Sequence, residues 1–300
     1  MSPSSNGAAN PWTDLDRPPL RQAALARALA QRPDAAWRAV EVVGRTGSTN
    51  ADVAARARAG EPEGLVLVAD HQEAGRGRLG RSWEAPPRAA LAVSLLLRPP
   101  VDPARWSWLP LLVGLGVVDA LRRICGVPAA LKWPNDVLVP EPVRGQAPEL
   151  GERRKVCGVL AEAVTGADGT SAAAVVGFGL NVDQHRPELP VPTATSLRLA
   201  GAATLDRDTV LRACLRAVAV RYQGWVDAGG DPRAGGIGAA YREACLSLGL
   251  QVEVRLPGPD GDEVVRGVAE EVDDDGRLVV ASADGRRALA AGDVGHVRPA

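Results

Sequence analysis

Nine residues limit the folds open to this chain: Gly75-Arg76-Gly77-Arg78-Leu79-Gly80-Arg81-Ser82-Trp83. Three glycines alternate with three arginines soon after an apolar strand, Leu65 to Ala69. The glycine spacing matches the dinucleotide fingerprint G-x-G-x-x-G. That fingerprint must open a helix and be followed, about twenty residues on, by an acid for the ribose. Here Pro86-Pro87 interrupts any helix, and the acidic position falls near Pro99-Pro100. A doubly wound dinucleotide fold is thereby excluded. What is left is a loop with little bulk and much positive charge. Its backbone N–H groups and guanidinium forks can close over an anion. The plainer reading, a basic turn without a ligand, has little need for three glycines and three arginines together.

A shortage points the same way. Of 35 basic residues only Lys132 and Lys155 are lysine. With so many alanines, this looks like a coding bias towards arginine. A lysine that persists against it marks a place for a compact charge on a flexible stem, where a planar fork will not serve. The net charge of −1 suggests neither nucleic acid nor a membrane surface as partner. Cys125, Cys157, Cys214 and Cys245 show no C-x-x-C spacing and sit in apolar segments. They read as reduced, buried thiols of a cytoplasmic protein. His71, His185 and His296 are too scattered for a metal cluster. No signal peptide is visible, and the longest apolar run, Leu109 to Val118, is too short to span a bilayer.

Three hundred residues, 46% of them apolar, allow one large domain and a small one. Residues 1–38 read as a disordered lead and a short helix, Leu20 to Gln31, ended by Pro33. Residues 39–249 read as mixed α and β. Ser48 or Thr49 caps a helix running to Arg58; Ala90 to Leu97 is a strand. Arg105 to Cys125 is a long helix with Leu109, Leu112, Leu115 and Val118 recurring at helical spacing. Lys155 to Val164 and Ala172 to Gly177 are strands joined by the turn 166–169. Arg207 to Asp227 and Gly236 to Ser247 are helices. Strands outnumber crossovers, so the class is α+β. Residues 250–300 change character: short β runs (Val252 to Leu256, Val264 to Ala269, Leu278 to Ala281, Val294 to Val297) alternate with turns, as in a small barrel. Pro140 to Arg154, polar and proline-bearing, reads as a mobile surface insertion.

Five segments complete the pattern: Arg45 to Asn50 (Arg-Thr-Gly-Ser-Thr-Asn), the arginine loop, Lys132 to Val137 (Lys-Trp-Pro-Asn-Asp-Val), Lys155 to Ala163, and Val176 to Val182 (Val-Gly-Phe-Gly-Leu-Asn-Val). In this order, over about Val40 to Val297, the chain resembles the biotin protein ligases, or biotin–[acetyl-CoA-carboxylase] synthetases. The resemblance implies a mixed-sheet catalytic domain akin to class II aminoacyl-tRNA synthetases, then a C-terminal barrel like a Src-homology-3 fold. It also implies two reactions. Biotin and ATP give biotinyl-5′-AMP and pyrophosphate; a lysine of a biotin carboxyl carrier domain then displaces AMP. Some relatives carry an N-terminal DNA-binding domain. With some 38 residues before the core, a form without one, and without nucleic-acid partners, is expected.

The same resemblance assigns residues. Ser48, Thr49, Gln72, Gly75, Arg76, Arg78, Lys155 and Gly158 are expected at biotin. Arg78, Trp83, Lys132, Asn135 and Asn181 are expected at the nucleotide. Lys155, Arg78 and Asp136 are the catalytic candidates, Lys155 lying between carboxylate and α-phosphate. Several roles stay open. Thr49 also fits a helix cap, Trp83 a core residue, and Glu162 either an arginine partner or a solvated strand position. Arg81 fits an anchor for the closed loop. Asp136 fits a base for the carrier amine or a ligand of Mg²⁺ held with ATP. Residues 183–195 occupy the place of the adenylate-closing loop but contain no tryptophan to stack on adenine. A monomer or weak homodimer in the cytoplasm is expected. The rivals are a lipoate or octanoate ligase and a non-catalytic biotin sensor. Gln72 with Ser48-Thr49, the complete arginine loop and the C-terminal barrel favour biotin.

Overall fold

The computed structural model describes residues 17–31, 35–141, 153–166, 169, 172–257 and 262–296. The short helix α1 (Gln22–Leu29) is followed by strand β1 (Ala39–Val43), helix α2 (Thr49–Arg58) and strands β2 (Leu65–Ala69) and β3 (Ala90–Leu97). Helix α3 (Trp108–Ala120) leads to β4 (Ala130–Lys132), β5 (Asp136–Pro140), β6 (Arg153–Thr165) and β7 (Ala172–Asn181). Helices α4 (Arg207–Asp227) and α5 (Ile237–Ala244) close this part. The seven strands form one sheet in the order β1-β2-β3-β7-β6-β5-β4. Only β1 and β2 run parallel, so the sheet is mixed and the α+β class holds.

Burial on both faces explains the apolar runs. In β2, Leu65 and Leu67 pack with Val53, Ala54 and Ala57 of α2, while Val66 and Val68 point to the other face. There α3 and α4 cover the sheet. Alternate residues serve opposite layers, so a central strand needs no polar positions. Ser94 is the exception in β3, fully buried among leucines and valines.

The sequence reading of α3 needs correction at both ends. The helix begins at Trp108 after a separate 3₁₀ turn, Pro103–Arg105, and Pro110 sits in its first turn, where a missing N–H costs nothing. Beyond Ala120 it widens into a π turn, Leu121–Cys125, and stops at left-handed Gly126. Its apolar residues are not confined to one face: eleven of its thirteen residues are buried. Helix α5 is also shorter than expected, because Cys245 leaves it to bridge Leu131, with Leu246 N donating to Leu131 O at 2.8 Å. Strand β7 runs past Gly177 to Asn181.

A second, five-stranded antiparallel sheet follows: β8 (Gln251–Leu256), β9 (Glu263–Val272), β10 (Leu278–Ser282), β11 (Gly285–Leu289) and β12 (Asp293–His296), in the order β11-β10-β9-β8-β12. Sequence reading missed β1, β4, β5 and β11; Gly-Arg-Arg-Ala-Leu in β11 has no apolar alternation to find. Two tryptophans bind the sheets together. Trp108 Nε1 donates to Asp274 O at 2.7 Å, and Trp133 Nε1 to Gly276 O at 3.0 Å.

Residues 1–16 of the expected lead and 142–152 of the expected insertion lie outside the described residues. The described ends correct both expectations, since Arg17 is buried, Pro140 belongs to β5, Arg153 and Arg154 belong to β6, and Glu141 and Arg154 are buried. Helix α1 buries Leu25 and Leu29 in the common core. All four cysteines are buried and free, as read from the sequence, and burial pushes the Cys125 thiol up to about 11.

Candidate active site

Two adjoining cavities, of about 120 and 720 Å³, open between the sheets. The smaller one has a polar back wall built on the start of α2. Ser48 is the helix cap, its Oγ 3.5 Å from Ala51 N. Thr49 donates twice to Gln72 Oε1, from N at 2.9 Å and Oγ1 at 3.0 Å. Ser94 Oγ lies 2.6 Å from Asn50 Oδ1 and 2.8 Å from Thr49 Oγ1, though its single proton serves one acceptor at a time. Asn50 Nδ2 donates to Glu162 Oε2 at 2.8 Å, and Glu162 faces Arg76 at 3.5 Å. Of the two readings of Glu162, the arginine partner is what the geometry shows.

The floor is a pair of glycines. Gly158 of β6 lies opposite Gly179 of β7. The Trp83 ring rests on them: a Cβ on Gly179 would lie 2.4 Å from its Cε2 atom. A Cβ on Gly158 would meet Lys155 Nζ at 3.0 Å. Lys155 and Gly158 are three residues apart, a spacing that faces opposite sides of a regular strand. A bulge solves this. Val137 pairs with Cys157 and Leu138 with Lys155, so Val156 is an extra residue and the alternation resets. Both positions then face the same cavity.

Lys155 Nζ sits 2.6 Å from Asp136 Oδ1 and 5.9 Å from the Trp83 ring centre. Residues 193–195 hold its backbone: Lys155 N donates to Thr193 O and Thr195 N to Lys155 O, both at 2.8 Å. Arg78 Nη1 donates to Asn135 Oδ1 at 3.2 Å, and Asn135 Nδ2 to Val159 O at 3.0 Å. Burial lowers the Arg78 pKa, with Asp136 and Asp293 pulling the other way. A half-buried guanidinium held by a neutral amide is poised for an incoming anion. Arg81 instead pairs with Asp293 at the start of β12, which joins the arginine loop to the second sheet. Burial pushes the Asp293 carboxyl up, but the Arg81 bond and the charges of Arg81, Lys132 and Lys155 bring it below its ordinary value. Leu79 carries the loop's turn in a left-handed conformation, φ 56°.

The structure thus brings Ser48, Thr49, Gln72, Arg76, Arg78, Trp83, Asn135, Asp136, Lys155 and Gly158 to the smaller cavity. Gly75 lies beneath its loop, where a Cβ would fall 2.3 Å from Trp83 O. Lys132 and Asn181 line the larger cavity. The Asn181 amide is engaged on both sides, accepting from Gln184 Nε2 at 2.8 Å and donating to Thr195 O at 2.9 Å. Sequence reading did not assign Asn50, Ser94, Gly179 or Asp293. Ser94 had a signal, the one polar residue in an apolar strand. Asp293 had none, being far along the chain from every motif.

The family model for the biotin/lipoate A/B protein ligases matches residues 43–181, and that for the biotin protein ligase C-terminal domain matches residues 248–297. The biotin–[acetyl-CoA-carboxylase] ligase of Mycobacterium tuberculosis is 41% identical, over 95% of this chain and 100% of its own length. The same-named protein of Paracoccus denitrificans is 30% identical over 84% of this chain and 98% of its own. A biotin protein ligase from Aquifex aeolicus, solved with biotin and ATP, superposes with a TM-score of 0.68 at 26% identity, over 88% of this chain and 100% of that one. The chain belongs to the biotin/lipoate A/B protein ligase family, as a biotin protein ligase with that C-terminal domain.

Proposed function

We propose that this chain activates biotin with ATP as biotinyl-5′-AMP and passes the biotinyl group to a lysine of a carboxylase carrier domain. One observation supports the reading most: Lys155, Asp136, Trp83 and Arg81 line both cavities, at the junction between them. The smaller cavity offers Ser48, Thr49, Asn50 and Gln72, backed by buried Ser94, to a neutral ureido ring, and Trp83, Val93 and Phe178 to hydrocarbon. The larger, with Lys132, Lys155 and Arg81, suits a triphosphate.

On this reading the biotin carboxylate attacks the α-phosphorus and pyrophosphate leaves. Two anions must meet, and the Lys155 ammonium at the junction neutralises both. Arg78 steadies the adenylate. The carrier amine then attacks the biotinyl carbonyl, and AMP leaves. Once ligand anions draw Lys155 away, Asp136 is free to orient that amine or take its proton. Mg²⁺ arriving with ATP would be held by the phosphates and by a carboxylate such as Asp136, and would supply charge neutralisation there. The five strands from Gln251 are read as a Src-homology-3-like barrel, residues 250–300, and residues 39–249 as a catalytic domain akin to class II synthetases. The protein is read as working in the cytoplasm, as a monomer or weak homodimer.

Pyrophosphate exchange with biotin and with lipoate as alternative acids tests the reading, followed by transfer to a purified carrier domain. Biotin-dependent exchange and labelling of one carrier lysine are expected. Lipoate lacks the ureido groups and would leave the back wall unpaired, which costs far more than a lost methylene. Equal exchange with lipoate would overturn the choice of substrate.

A further inference from the structure

The segment ahead of the ligase domain reaches the stretch of chain that goes on to wall the larger cavity. The family match begins at residue 43, yet Arg17 is 5% exposed and grips the segment that follows β7. Its Nη1 donates to Glu188 Oε1 at 3.1 Å and its Nη2 to Glu188 Oε2 at 2.7 Å. Nη2 also donates to Asp183 O at 2.7 Å, and Nε lies 3.5 Å from Asp183 Oδ2. Glu188 Oε2 in turn accepts from His185 N at 2.8 Å, so one carboxylate holds both Arg17 and its own turn.

The chain next to Arg17 is itself fixed. Arg207 Nη2 donates to Pro18 O at 2.8 Å and to Asp70 Oδ1 at 2.9 Å. Arg21 Nε donates to Asp208 at 2.5 Å. On the far side, hydrogen bonds continue inward. Buried Gln184 donates to Asn181, Asn181 donates to Thr195 O, and Thr195 N donates to Lys155 O. Arg186 pairs with buried Glu141 and donates to Ala194 O at 2.8 Å. Segment 183–195 is therefore held between Arg17 and the strand that carries Lys155. Its residues Pro190, Val191, Thr193 and Ala194 form one wall of the larger cavity.

A buried ion pair of this kind is a weak source of stability, because desolvation offsets the attraction. A forked arginine–carboxylate pair does fix orientation. We propose that Arg17 is a positioning residue for segment 183–195, through which the N-terminal segment sets how tightly nucleotide and adenylate are retained. The proposal rests on reading the larger cavity as the nucleotide side.

The test compares the full chain with its Arg17→Gln, Arg17→Lys and Glu188→Gln variants. The measurements are biotin binding without ATP, KM for ATP and kcat in pyrophosphate exchange, and the dissociation rate of biotinyl-AMP. Arg17→Gln and Glu188→Gln should raise KM for ATP and the adenylate dissociation rate roughly 5- to 30-fold. Biotin binding should hold, because segment 183–195 does not line the smaller cavity. Arg17→Lys should recover part of the loss. Unchanged KM and adenylate retention, or losses in every readout that simply follow thermal stability, would overturn the proposal and leave Arg17 a staple. If Arg17→Gln does not fold, Glu188→Gln, which keeps the shape and one of the two acceptor oxygens, decides. Normal exchange by the parent protein confines any failure to the positioning role; no biotin-dependent exchange by the parent sinks the ligase reading and this proposal together.

Discussion

On the proposed reading, the chemistry of the site concentrates in the Lys155 ammonium, 2.6 Å from Asp136 and beside the glycine floor. Arginine at this position keeps the charge but brings a broad planar head into a gap bounded by Gly158 and Trp83. Lys155→Arg should fold normally and lose at least ~10²-fold in biotin-dependent pyrophosphate exchange, the scale of removing one preorganised electrostatic donor. Exchange within a few-fold of the parent would remove Lys155 from the catalytic set. At this scale the sequence was informative, because the side chains that meet here come from short contiguous runs. Lys-Trp-Pro-Asn-Asp delivers Asn135 and Asp136 together, and Ser48-Thr49-Asn50 delivers the back wall. What it hid was geometry between runs. Nothing in Lys-Val-Cys-Gly announces that Val156 is an extra residue, so the facing of Lys155 and Gly158 emerges only from pairing with β5.

On the proposed reading, ligand retention turns on the arginine loop. Its backbone is closed by Trp83 N to Gly75 O at 2.9 Å and Gly77 N to Arg81 O at 2.7 Å, and Arg81 ties it to Asp293. Ligand anions should neutralise Arg76 and Arg78 and add to this hold. Amide exchange across Gly75 to Trp83 should slow on adding biotin, and more so with biotinyl-AMP; equal protection with and without ligand would count against closure. The tether has a pH limit. The Asp293 pKa is depressed in the folded protein, so its contribution is complete above the unfolded value of about 3.9 and is lost as pH falls through the lower folded value. Loop protection should therefore be flat near neutral pH and fall only under acid conditions. Another element depends on a missing side chain. A Cβ on Gly116 would lie 2.8 Å from the Val218 backbone, so Gly116→Ala must part α3 from α4. Denaturant unfolding should report a loss of about 1–3 kcal/mol. Helix α3 also shows where pattern reading stops. Its leucine spacing located it, but a helix buried all round carries no polar face by which its ends can be judged.

Across the whole molecule, the two lysines converge on one place: Lys132 and Lys155 both line the larger cavity. Adenylate that escapes into solvent meets an exterior of arginines, which do not become acylated. Lys155 itself is held against Asp136, and an ammonium so held is a poor nucleophile. Incubation with biotin and ATP but no carrier should therefore leave both lysines largely unlabelled in peptide mass spectra. Heavy labelling of Lys155 would contradict its ion pair. The division into a large mixed sheet and a small antiparallel one was legible from the change in run length at Gln251. Their junction was not, since Asp274 and Gly276 meet Trp108 and Trp133, and Asp293 meets Arg81, through folding alone. The tryptophans follow a division of their own. The indoles of Trp37, Trp106, Trp108 and Trp133 each donate to a backbone carbonyl, whereas Trp83 Nε1, lying over the glycine floor, and Trp225 Nε1, buried on α4, have no acceptor among the described residues. Trp83 lines both cavities and the other five described tryptophans line neither, so Trp83 is the chromophore set into the candidate site. Unlabelled protein should thus report biotin by a shift in its own emission, and Trp83→Phe should silence that shift while most of the intrinsic fluorescence persists.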